Sequence, residues 1–169
     1  RLWRMPKPTL AALPGPAAGG GLGLALACDL RYGCERTLLT TSFARVGLSG
    51  DYGVAWQLTR LVGTARAREL MFFADRVDAE TALALGLVNA LLPAERLEAE
   101  VLDRARRLAA GPRVALGLMK RNLGLALSTD LEAFMDVEVA HHVATKSTAD
   151  HAEASRAFVE RRTPRFAGC

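Results

Sequence analysis

Two short stretches of this chain hold residue types that do chemistry. The first is Gly19-Gly20-Gly21, which follows the turn residues Pro14-Gly15-Pro16 and opens the apolar run Leu22 to Asp29. Glycines at a helix start present backbone N–H groups at the positive end of a helix dipole, where an anion or a developing oxyanion is favoured. They equally suit close packing of helix on strand, so the spacing alone leaves both readings open. The second stretch is Gly47-Leu48-Ser49-Gly50-Asp51-Tyr52-Gly53, an aspartate in a loop of residues that tolerate unusual backbone angles. Among such glycines Asp51 suits a loop residue that bonds neighbouring backbone N–H groups.

Other reactive types carry less. His141, His142 and His151 have no carboxylate or cysteine at metal-ligand spacing and read as surface residues, as do Arg104, Arg106 and Arg107 on a solvated helix face. Cys28, Cys34 and Cys169 are odd in number and lack a CxxC, so neither a disulfide framework nor a metal site is expected. They suit a reducing, cytoplasmic setting, with Cys28 a small buried hydrophobe on a helix. Phe43, Trp56 and Phe72 read as core residues rather than pocket lining.

These residues need elements to hold them. Thr9 to Leu13 reads as a strand ended by the Pro14-Gly15-Pro16 turn, and Leu22 to Asp29 as a helix buried on most sides. Leu30 to Tyr32 and Thr37 to Thr41 read as strands around Gly33. Helices follow from Val54 to Val62 and, capped by Thr64, to Phe73. Asp78 caps Ala79 to Leu85, Gly86 closes it, and Leu87 to Asn89 forms a short strand. Beyond Pro93 everything reads as helical: a segment to Gly111-Pro112, Val114 to Leu127, Thr129 to Lys146, and Thr148 with Ala149 to Arg161. Strands with glycine turns followed by a helical tail predict an α/β core, 1–92, and a helical region, 93–169, that packs elsewhere, on another subunit for example.

Composition bounds the rest. The 169 residues, half of them apolar and 24% charged, exclude disorder, collagen and a long coiled coil. The net charge of +4 comes from 22 basic residues scattered among 18 carboxylates, without the basic stripe or aromatic interleaving of a nucleic-acid binder. Pro8 to Cys28 is uncharged, but its prolines and glycines would break a membrane-spanning helix or the core of a secretion signal, so neither is expected.

Taken together, the run from Lys7-Pro8 through Gly19-Gly20-Gly21 to Cys28-Asp29-Leu30 resembles the signature of the crotonase family, the enoyl-CoA hydratases and isomerases. Leu58-Thr59-Arg60-Leu61-Val62-Gly63, Ala82-Leu83-Ala84-Leu85-Gly86-Leu87-Val88-Asn89 and Ala157-Phe158-Val159-Glu160-Arg161-Arg162 match in register. The resemblance implies a crotonase-like ββα spiral, incomplete at its N-terminus, with a helical C-terminal region that builds homotrimers or hexamers. It implies acyl-CoA substrates, with coenzyme A arriving as part of the thioester and no permanently bound cofactor.

Residue by residue, Gly20 matches the second of two backbone donors that hold the thioester carbonyl. The first lies upstream in the family, so the chain reads as the C-terminal two-thirds of a longer protein. Hydratases of the family carry glutamates where this chain has Gly23 and Phe43. Asp51 falls where dienoyl-CoA and ring-epoxide isomerases place a catalytic aspartate and where chlorobenzoyl-CoA dehalogenases place a nucleophile. Phe158 and Arg161 match an aromatic and a basic residue that approach the CoA adenine and phosphates from a neighbouring subunit. The implied reaction is isomerisation through an enolate with Asp51 as proton shuttle; the alternatives are a hydratase-like or dehalogenase-like enzyme, or a crotonase-fold binding or assembly protein without turnover.

Overall fold

The computed structural model describes residues 2–169. The chain forms two compact units, one from residues 9–104 with Leu2, the other from residues 3–8 and 105–169.

In the first unit, strands alternate between two three-stranded sheets. β1 (Leu10–Leu13), β3 (Leu30–Gly33) and β6 (Ala90–Leu91) make one parallel sheet in the order β1-β3-β6. β2 (Pro16–Ala18), β4 (Leu38–Thr40) and β5 (Val77–Asp78) make the other, with β2 parallel and β5 antiparallel to β4. A strand in each sheet, then a helix, is one turn of a ββα spiral: β1, β2 and α1 (Gly20–Leu26), then β3, β4 and α2 (Val54–Phe73). Parallel neighbours demand such crossovers, because a tight turn cannot join them.

Apolar side chains from the helices and both sheets meet in one core of Leu13, Leu22, Leu26, Leu39, Phe43 and Leu58 with their neighbours. A smaller cluster joins Tyr32 and Cys34 to Leu97 and Val101 of α4 (Leu97–Ala109). Polar groups tie the layers. Asp29 accepts from Thr9 N at 2.7 Å and Thr9 Oγ1 at 2.8 Å, pinning the start of β1 to β3. Buried Arg31 donates from Nε to the Leu87 carbonyl and from Nη1 to the Cys28 carbonyl, each at 2.7 Å, and burial lowers its pKa. Those carbonyls satisfy a cation that would be costly to bury alone.

The structure corrects several readings. Pro16 starts β2 instead of ending a turn; an edge strand accepts proline at its first residue because no ladder donor is lost there. The short β5 had no apolar alternation to announce it. Leu87 to Asn89 is not a strand: pairing begins at Ala90, while Asn89 bonds Arg31 through its side-chain Oδ1 and its N–H, both at 2.7 Å. Gly63, at φ 74° and ψ 170°, breaks α2 where two helices were expected to meet. Cys28 lies just beyond α1 and is half-buried, whereas Cys34 is fully buried; among the described residues no cysteine forms a disulfide.

The second unit holds α5 (Arg113–Leu125), α6 (Leu131–Lys146) and α7 (Ala149–Val159). Asp130, not Thr129, caps α6 by accepting from Ala133 N at 3.0 Å; the Thr129 hydroxyl turns back to the Leu125 carbonyl instead. Thr148 caps α7 as expected, accepting from His151 N at 3.1 Å. Buried Asp150 accepts from the Ala167 and Gly168 amides, at 2.7 and 3.0 Å, and fastens the C-terminal tail. Among the described residues no helix is long and apolar enough to cross a membrane.

Candidate active site

Gly20 is the first residue of α1, so its N–H precedes the intrahelical ladder, which opens with Gly23 N bonding the Gly19 carbonyl at 3.0 Å. The turn is aimed by Gly19, at φ 51° with its N–H on the Thr40 carbonyl of β4 at 3.1 Å. That φ suits glycine, and the bond to the sheet fixes where the helix begins.

Asp51 lies in the loop before α2. Its carbonyl accepts from Val54 N at 3.1 Å, and its Oδ1 accepts from the next residue, Tyr52 N, at 2.6 Å. The residue is exposed, so the apolar pocket that would desolvate the carboxylate is not formed by the described residues. Its neighbour Tyr52 brings the loop to α1: a β-carbon placed on Gly20 would stand 3.0 Å from Tyr52 Cε2, and one on Gly23 only 2.6 Å from Tyr52 Cβ. The aspartate loop and the glycine turn therefore share one neighbourhood with Tyr52 between them. Sequence reasoning overlooked Tyr52; its signals were a bulky residue among loop glycines and two glycines three apart in a helical first turn.

The remaining candidates divide. Phe43 is in the core, at 6% exposure, but Trp56 and Phe72 are exposed at 40% and 72%, against the expectation that all three fill the core. Trp56 is covered on one face by the Arg60 guanidinium, 3.7 Å from the ring centroid. Arg104 is likewise no solvated bystander: half-buried, it lies 4.9 Å from the Tyr32 ring centroid and pairs with Glu100.

In the second unit Phe158 is 86% exposed at the end of α7, and Arg161 follows with its N–H on the Phe158 carbonyl at 3.2 Å. The two are thus close together and open to solvent, and Phe158 is no core residue. Beside them Arg162 makes a two-point pair with Glu153, whose carboxyl those bonds and the Arg165 N–H hold at about 2. His142 and His151 are exposed; His141 is half-buried and bonds Asn122 Oδ1. Among the described residues no group of three or more His, Cys, Asp or Glu is placed to hold a metal ion.

A ββα spiral with a glycine turn opening its first helix defines a class, and comparison with known proteins agrees. The family model for enoyl-CoA hydratase/isomerase matches residues 1–168. The chain belongs to that family. It is 36% identical over 167 residues to a protein of Rhodobacter capsulatus named "Probable enoyl-CoA hydratase", covering 99% of this chain and 65% of that protein. It is 33% identical over 168 residues to the 1,2-epoxyphenylacetyl-CoA isomerase of Escherichia coli, covering 99% and 64%. The crystal structure of an enoyl-CoA hydratase from Bacillus anthracis superposes with a TM-score of 0.95 at 32% identity, covering 99% of this chain and 65% of that one. The chain thus spans just under two thirds of the length of these relatives.

Proposed function

We propose that the complete protein acts on acyl-CoA thioesters and isomerises them, moving a double bond or rearranging a ring through an enolate. Asp51 takes a proton from one acyl carbon and returns it to another, and the Gly20 N–H holds the thioester oxygen as negative charge arrives on it. One observation carries this reading. The two positions at which hydratases of the family carry glutamates are a glycine packed under Tyr52 and a buried phenylalanine, while the exposed carboxylate of the neighbourhood is Asp51. Syn-hydration needs a base for water and an acid for the α-carbon; one carboxylate is enough for a proton shuttle.

In this reading coenzyme A enters with the substrate and no resident cofactor is needed, because the thioester itself acidifies the α-proton. Exposed Phe158 and Arg161 offer a stacking face and a cation to the CoA adenine and phosphates of a neighbouring copy. Self-assembly into a trimer or hexamer is supported by the uncovered apolar residues Leu131, Met135, Val139 and Val143 of α6.

A second reading, a binding protein without turnover, is favoured by the exposure of Asp51, since a solvated carboxylate lacks the desolvation that tunes a base. Titrating CoA thioesters into the full-length protein while following α- and γ-proton exchange in deuterated water separates them. Exchange with double-bond migration is expected. Binding without exchange selects the second reading, and accumulation of the hydrated product selects a hydratase.

A further inference from the structure

Tyr52 adopts φ 50°, a left-handed conformation that a bulky residue holds only when its surroundings impose it. Its loop neighbours Gly50 and Gly53, at φ 128° and 73°, take such angles freely; Tyr52, 58% exposed on its outer side, lies with its inner side against α1. The seat is the first turn of α1. Tyr52 Cε2 and Cδ2 lie 3.0 and 3.2 Å from where a Gly20 β-carbon would stand. Tyr52 Cβ and Val54 Cγ2 lie 2.6 and 3.0 Å from where one on Gly23 would stand. Gly20 and Gly23 are three residues apart and so share a helix face. The side chains they lack are the space that Tyr52 fills. From the same residue, the backbone N–H reaches Asp51 Oδ1 at 2.6 Å.

We propose that Tyr52 is a positioning residue: seated on Gly20 and Gly23, it clamps the loop to α1 and points the Asp51 carboxylate through its own N–H. The effect on turnover rests on the reading of Asp51 as proton carrier; the seating does not. The clamp is steric and needs the ring rather than the hydroxyl. It also means that a long side chain at position 23 and tyrosine at position 52 exclude each other, so the glutamate that hydratases carry has no room here while Tyr52 is seated.

The test uses three variants of the full-length protein with two readouts, amide hydrogen exchange of residues 48–53 and the kinetics of acyl-CoA turnover. Tyr52→Phe keeps the clamp and is expected within about twofold of the parent in both readouts. Gly23→Ala, whose added carbon collides with Tyr52 Cβ and displaces the residue, and Tyr52→Gly, which removes the side chain at a φ glycine accepts, are each expected to speed loop exchange about tenfold or more. They are expected to lower kcat about tenfold or more with KM within about threefold, a split that loss of substrate binding would not give. Tyr52→Gly adds no atom, so it carries the test if Gly23→Ala fails to fold. Loop exchange at the parent's rate in a folded Tyr52→Gly protein overturns the positioning, whatever the activity. Faster loop exchange in a protein whose parent turns over no thioester supports the clamp and sinks the acyl-CoA reading instead.

Discussion

α1 buries Leu22, Gly23, Ala25 and Leu26 among its seven residues, whereas α5 and α6, at 13 and 16 residues, bury none. Yet α6 is rich in large apolar side chains: Leu131, Met135, Val139 and Val143, spaced i, i+4, are each more than half exposed. Leu123 of α5 and Leu127 in the turn after it are exposed as well. The spiral unit closes its core with its own strands and helices. The helical unit presents a stripe of the kind that normally marks a buried face and leaves it uncovered. Helical periodicity reports that a face is to be buried; it does not report against what.

That contrast is open to direct attack. The largest expected effect on folding is in the spiral core, where Leu26→Ala, at a residue 1% exposed, should cost roughly 2–5 kcal/mol in denaturant unfolding. A cost comparable to a surface change would mean that the core is not where the structure places it. Next comes Val139→Glu, which puts a charge in the middle of the α6 stripe. It should leave the helix content of the protein unchanged by circular dichroism while shifting its mass in sedimentation toward the monomer. An unshifted assembly would show that the stripe is not a self-association face. The smallest effect belongs to Glu153→Gln on α7. Because the folded carboxyl sits at about 2, below its ordinary value, the pairing with Arg162 is complete above the ordinary range and fades as pH falls through about 2. The variant should flatten the acid limb of a stability-against-pH curve in low salt, lying slightly below the parent near neutrality, since the pair is exposed, and converging with it as pH approaches about 2.

Much of this molecule is legible in its residues, and what is not has physical reasons. Asp78 announces α3 (Ala79–Ala84) because a carboxylate that accepts the Thr81 N–H is a preferred way to start a helix, and the structure has that bond at 2.8 Å. Gly63 marks the break in α2 because few other residues tolerate its φ of 74°. β5 and β6 hide because two-residue strands carry no period, and their pairing is set by partners distant in sequence. The exposure of Phe72 and Trp56 hides because an apolar residue on a helix carries no record of which neighbours reach it. In the candidate site, the glycine turn and the aspartate loop are visible by residue type, but the roles of Gly20 and Asp51 come only from the resemblance to the family. Tyr52 is legible in neither way, because its part depends on a contact between a loop and a helix turn about 30 residues apart in sequence, which only the fold creates.

In the proposed function the Asp51 carboxylate moves the proton. Asp51→Asn in the full-length protein keeps the side-chain shape and an oxygen to accept from Tyr52 N, but removes the base. Substrate-proton exchange in deuterated water should fall about 10²–10⁴-fold while acyl-CoA affinity stays within about threefold. Exchange at the parent's rate in that variant would contradict the account.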